Sequence, residues 1–257
     1  MDWFHQLPVV WMAVVVFAGI GVVTAGIYCV VLALAARGWT PAFKAVSPVM
    51  LTPLAVIFGL IVGFLCAQVW NDGERANGAV IREAGALRTV LLLATIFPDP
   101  TEARIRALVR RHIQDAVSEE WPAMSRQQTT LPMITAADTQ ALELALSILA
   151  RTEAQTIAQR EVISAVRNAV EARRERIIIS RSKINWVKWT VVLLLAFLIV
   201  LTAAIIHCDN RTTAAIAMGL FSTAVAACVI LIASHNRPFT GEISVSPDLL
   251  IQVMPKQ

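Results

Sequence analysis

The chain has 257 residues, 57% hydrophobic and 16% charged, with a mean hydropathy of +0.65 and a formal charge of +4. Such a composition excludes a disordered segment and disfavours a water-soluble globule, and so small a net charge gives no ground for a nucleic-acid partner. Four cysteines, of which Cys29, Cys66 and Cys228 lie inside apolar stretches, do not make a disulfide framework.

Met1 to Pro8 contain no Lys or Arg, and the apolar stretch that follows, residues 9–36, is uncharged. Ala33-Leu34-Ala35 resembles a signal-peptide cleavage site, but the missing basic start and the length of the stretch read as a membrane anchor. After a loop with Arg37 and Lys44 comes a second uncharged span, residues 49–69. Each is long enough, at ~1.5 Å per residue, for the ~30 Å of bilayer hydrocarbon.

The second span differs from the others. It carries Pro53, Gly59 and Gly63, follows Pro48, and ends in the polar series Gln68, Asn71 and Asp72. Small residues and prolines permit close helix contact and bending. The sharper reading uses the helical wheel: Pro53, Ile57, Ile61, Phe64, Gln68 and Asp72 share one strip, with Ala55, Gly59, Gly63 and Cys66 near the opposite side. Around an axis of several copies, Ile57, Ile61 and Phe64 would form a hydrophobic constriction, with Gln68 and Asp72 at its cytoplasmic mouth. The small face would pack on neighbouring spans.

The helix is expected to continue past the membrane, because Val80, Ala84, Leu87, Leu91 and Ala94 keep helical spacing and no proline intervenes before Pro98. Asp99-Pro100-Thr101-Glu102 predicts a helix start with Asp99 as N-cap and Glu102 as a capping-box carboxylate, and Glu120-Trp121-Pro122 its end. A polar loop through Pro132 leads to Thr135 or Asp138, where the longest soluble helix begins. That helix shows no Pro or Gly up to Lys183, carries Leu142, Leu146, Leu149, Ile163, Val166 and Val170 near one stripe, and is expected to run almost directly into the third span.

Arg173, Arg174, Arg176, Arg181 and Lys183, continued by Lys188, form the densest basic cluster; it reads as a lipid-headgroup contact or as an anion-attracting vestibule. The third and fourth spans cover residues 187–206 and 214–234. Arg237-Pro238-Phe239 follows, with Arg237 and Phe239 as a subunit or membrane-surface contact. The fold class is an all-α membrane protein: four transmembrane helices in two pairs (1–69 and 187–234), a helical cytoplasmic domain (70–186) inserted between helices 2 and 3, and a cytoplasmic tail (235–257). Of 22 Lys and Arg, 16 fall in 70–186 and crowd towards the span ends, which places that region and both termini in the cytoplasm. Against 14 acidic residues those 16 leave only +2 there.

No metalloprotease, nucleophile-elbow, phosphate-loop or paired-cysteine motif is present. His5, His112, His207 and His235 are scattered, and His207-Cys208-Asp209 lacks metal-ligand spacing. The span centres hold no ionisable residue of the kind an intramembrane enzyme needs. Neither catalysis, cofactor nor metal is expected.

A resemblance rests on many of the same residues. Phe58-Gly59-Leu60, Ala67-Gln68-Val69-Trp70-Asn71-Asp72, Glu83-Ala84-Gly85-Ala86-Leu87-Arg88, Glu120-Trp121-Pro122, Ala172-Arg173-Arg174-Glu175-Arg176 and Arg237-Pro238-Phe239-Thr240-Gly241-Glu242-Ile243-Ser244-Val245-Ser246-Pro247 together resemble a bacterial membrane family described as bestrophin-like. Bestrophins are pentameric ion channels with four spans per subunit, a second-span hydrophobic neck and a helical cytosolic domain. The resemblance therefore implies a pentameric channel of the bacterial inner membrane with membrane lipids, its own copies and permeating ions as partners. Calcium gating is not implied, since no acidic calcium clasp is found. A ring of Gln68 and Asp72 inclines the expected selectivity towards cations. The alternative is a non-conducting scaffold or sensor whose cytoplasmic helices bind a partner.

Overall fold

Long apolar runs can bury their backbone polar groups in hydrocarbon only by pairing them internally, and among the described residues four such runs do so as helices. The computed structural model describes residues 7–127 and 136–255, and among these no strand occurs. The readings placed on Met1 to Gln6, on Pro132 and on Thr135 fall outside the described residues.

Helix α1 is Val9–Leu34, followed by a π-helical turn, Ala35–Trp39, and the short α2, Thr40–Lys44. Gly38 sits inside that turn at φ 93°, a left-handed conformation that a side chain would strain. Helix α3 spans Leu51–Ala94, 44 residues. At ~1.5 Å per residue it is about twice as long as a bilayer is thick, so only its apolar first half is needed to cross. Helices α8, Trp186–Ile206, and α9, Arg211–His235, complete the four helices that, among the described residues, are long and apolar enough to span a membrane. Asn185 and Asn210 cap them, their side-chain oxygens accepting backbone N–H bonds from the first turn.

The chain divides into two units. The first holds the residues up to Trp70 with Lys183–Asn236, and the second holds Asn71–Ser182 with the residues from Arg237 onward. In the first, α1 packs on α8 and α9 through Ile27, Val31, Val200, Ala203 and Met218. Val62, Leu65, Cys66 and Val69 of α3 pack against Val192 and Ile232. Asn236 Oδ1 accepts the Ile184 N–H at 2.8 Å, and Lys44 pairs with Asp209 at 3.1 Å.

Among the described residues the second unit contains the remainder of α3 and five further α-helices: α4, Asp99–Asp115; α5, Trp121–Ser125; α6, Ala136–Ser147; α7, Glu153–Ser180; and α10, Asp248–Val253. Three expectations are corrected. The cap of α4 is Pro98, whose carbonyl accepts the Thr101 and Glu102 N–H groups, while Glu102 pairs with Arg106 at 2.7 Å instead of closing a capping box. The helical run does not end at Pro122: a π-helical turn, Ala116–Glu120, joins α4 to α5, and Pro122 lies in the first turn of α5, where it lacks only an N–H that helix starts leave unpaired. The expected single helix towards Lys183 is two, α6 and α7.

That break has a side-chain cause. Thr152 Oγ1 accepts from Gln155 N–H and caps α7, and Gln155 Oε1 accepts from Arg151 N–H. The Gln159 amide donates to the carbonyls of Ala145, Leu146 and Ile148 (3.0, 3.4 and 2.9 Å), so the last turn of α6 is satisfied by a residue of α7. Ala145 is thereby buried in the same core as Ala158 and Val162.

Candidate functional site

Two features of the fold bear on function: the face of α3 in the first unit and a buried ion network in the second. In α3 the expected strip divides. Ile57 and Phe64 are 46% and 73% exposed, whereas Ile61 is half-buried and packs beside the Val62–Leu65 cluster. Gln68 accepts a hydrogen bond from Lys188 Nζ at 2.6 Å, and Asp72 accepts one from Ser182 Oγ at 2.6 Å. The face that no other described residue covers is turned by about half a residue position, ~50°. It runs Pro53, Ile57, Leu60, Phe64, Ala67 and Asn71, all exposed. Of the small residues opposite, Cys66 is buried among neighbouring spans, but a Cβ at Gly59 or Gly63 would meet nothing within 4 Å.

The basic cluster does not act as a cluster. Arg173 and Arg176 are 1% and 0% exposed, so neither faces headgroups or an aqueous vestibule; Arg174, Arg181 and Lys183 are exposed. Both buried guanidiniums lie on the face of α7 that carries Val162, Ala165 and Ala169. Arg176 donates from Nε and Nη2 to both oxygens of Glu83 (2.8 and 3.1 Å) and from Nη2 to Glu120 (2.8 Å). It also lies 4.5 Å from the ring centre of Trp121. Arg173 donates to Glu120 at 2.7 Å and pairs with Asp138 at 3.3 Å. His112 bridges Glu83 and Asp138 from its two ring nitrogens, at 2.9 and 3.4 Å.

Burial alone would raise the Glu83 carboxyl, yet the Arg176 charge beside it and the hydrogen bonds from His112 and Arg176 bring it down to about 2. Burial alone would lower the His112 imidazole, yet its bonds to Asp138 and Glu83 raise it to about 9. With His112 protonated, three carboxylates face two guanidiniums and one imidazolium, and the cluster is neutral. A buried cluster so balanced avoids the cost of an uncompensated charge. Among the described residues no three His, Cys, Asp or Glu side chains are placed to hold a metal ion.

The Glu120-Trp121-Pro122 and Arg237-Pro238-Phe239 segments meet. Phe239 is 3% exposed and packs edge-on against Trp121 with ring centres 5.7 Å apart. Trp121 Nε1 donates to the Val245 carbonyl at 3.0 Å, and Thr240 Oγ1 to that of Ser125 at 2.7 Å. Arg237 is 9% exposed. The expectation that Arg237 and Phe239 form a surface or subunit contact is thus corrected: both are buried, and Phe239 belongs to the core of its own chain.

A family profile describing a bestrophin-like domain matches residues 18–250. The chain belongs to the bestrophin-like family. No curated protein and no solved structure gives a significant match. The matched residues of this bestrophin-like chain cover both units, including the α3 face, all six members of the ion network and the Trp121–Phe239 contact. Sequence alone does not single out Glu83, His112 and Asp138 as site residues, because their partners are 26 to 93 positions away. A signal for the arginines was present, since positions 173 and 176 extend the apolar stripe of α7 at helical spacing.

Proposed function

We propose that this bestrophin-like membrane protein is an oligomeric ion channel in which copies of α3 surround the pore. One observation carries the reading: α3 keeps an apolar face, through Ile57, Leu60 and Phe64, that no other described segment of its own chain covers. Apolar rings at a narrow point gate by dewetting, and side chains of that size are suited to it. Five copies are the expected number, following the family, and the Lys and Arg content of the second unit supports a cytoplasmic position for it at the bacterial inner membrane. The reading asks for no catalysis and no cofactor. Because Gln68 and Asp72 have partners in their own chain, the cation preference rests on less than a free polar ring, and the reversal potential decides it.

The test is current through planar bilayers holding the purified protein under a salt gradient, with Phe64→Ala beside the wild type. Unitary currents that rise several-fold in the variant support the pore. Currents unchanged by Phe64→Ala and by Ile57→Ala, or no current from intact oligomers, overturn it. A second reading, a scaffold, draws on an exposed polar groove of the second unit between Arg82, Thr89, Glu161, Asn168 and Glu175. A stable monomer in mild detergent would favour that one.

A further inference from the structure

The first unit has a cleft of about 270 Å³ between α3 and α8. Ile61, Leu65, Val187 and Val191 supply apolar walls, and the Gln68–Lys188 hydrogen bond of 2.6 Å stands at its rim. The apolar run of α3 ends one residue after Gln68, and that of α8 begins one residue before Lys188. The rim pair therefore marks the boundary between hydrocarbon and water. Trp70 and Trp186, within two residues of the rim pair along the chain, are 51% and 74% exposed, as indoles at the headgroup level are. Lys188 gains nothing from its helix, because a cation in the first turn opposes the helix dipole. Its amine is exposed, and Lys183, also exposed, adds a second cation.

We propose that this cleft binds an anionic glycerophospholipid, its phosphate paired with Lys188 and one acyl chain lying along Ile61, Leu65 and Val191. An apolar wall ending in a cation at the membrane boundary matches a lipid in both polarity and charge, and a lysine reaching from apolar surroundings to the headgroup level is the usual arrangement. Phe64 closes one side of the cleft and also borders the free face of α3, so an occupying lipid would touch a residue of the proposed constriction. The site itself rests on α3 and α8 being membrane spans and not on conduction.

The test is native mass spectrometry of the full-length protein in a mild non-ionic detergent with equimolar dioleoyl-phosphatidylglycerol and dioleoyl-phosphatidylcholine. The wild type is expected to retain phosphatidylglycerol preferentially. Lys188→Met is expected to lower that retention about fivefold with phosphatidylcholine unchanged, and Lys188→Arg to preserve it. Val191→Trp, which fills the cleft, is expected to reduce both lipids. No preference in the wild type, or full retention by Lys188→Met, overturns the site. Full retention combined with a shifted reversal potential in Lys188→Met would instead put this lysine on the ion path. Loss of lipid on Lys188→Met in a protein that passes no current would keep the lipid site and remove the channel.

Discussion

At the scale of single residues, the second unit depends on charges that neutralise one another away from water. His112 shows this most directly, because it faces Glu83 from α3 and Asp138 from α6, while Arg176 and Arg173 reach the same two carboxylates from α7. Its folded value of about 9 lies above the ordinary 6.5, so the stability it contributes is complete below about pH 6.5 and is lost as pH rises through about 9. Glu83 has the opposite sign: held at about 2 instead of 4.5, it contributes above about pH 4.5 and ceases to as pH falls through about 2. Urea unfolding of the helical unit, followed by near-ultraviolet circular dichroism, should therefore show a plateau near pH 5–6.5 and a decline on the alkaline side. His112→Gln should lower stability at pH 6 and flatten that alkaline decline. An unchanged alkaline limb in the variant would assign the titration elsewhere. Composition and periodicity show that α7 has an apolar stripe, but that the stripe continues through two arginines makes sense only once their three carboxylates are in place. That is why Arg173 and Arg176 read as a surface cluster from sequence.

At the scale of elements, what rests on local patterning was legible, and what rests on distant partners was not. The four apolar runs, the continuation of α3 past the membrane and the helical character of the described residues follow from spacing and from the absence of breakers. The α6–α7 break does not, because residues 148–152 contain neither Pro nor Gly. It is produced by Gln159, whose amide satisfies carbonyls 11 to 14 positions back only after α6 has folded against α7. Removing that amide leaves the end of α6 short of donors, and a helix end that loses a cap costs about 1 kcal/mol. Gln159→Ala should therefore lower the stability of the second unit by about that amount. Hydrogen exchange should rise first at the end of α6 and leave α8 and α9 unchanged; protection of α6 equal to wild type would show that packing alone holds the turn. The closing segment follows the same rule. Arg237-Pro238-Phe239 stands out as a motif in the sequence, but only the fold shows that Phe239 is matched to Trp121.

For the whole molecule, the question is which surfaces of the first unit meet lipid and which meet another copy. A span that only faces lipid has no need of close approach, and glycine in a helix interior costs roughly 0.5–1 kcal/mol relative to alanine. Gly59 and Gly63 lie one turn apart on α3, and a Cβ at either would meet nothing of the chain's own. Helices in hydrocarbon associate through such small-residue faces, where backbones come together closely enough for dispersion to act. If copies of α3 gather round an axis, Gly63 is placed to lie against a neighbour, and a large side chain there would hold the helices apart. Gly63→Leu should then leave the helix content and expression of the protein as they are, since within one chain the added side chain has room, but should shift the purified species towards monomer in light scattering. The same substitution at Gly21 of α1, where a Cβ likewise meets nothing within 4 Å, tests whether the effect is particular to α3 and should leave the assembly intact. An oligomer unaffected by Gly63→Leu would move the contact to another face of the spans, and with it the residues that surround the axis. That outcome would send the search for the constriction away from Ile57 and Phe64 even if current were measured.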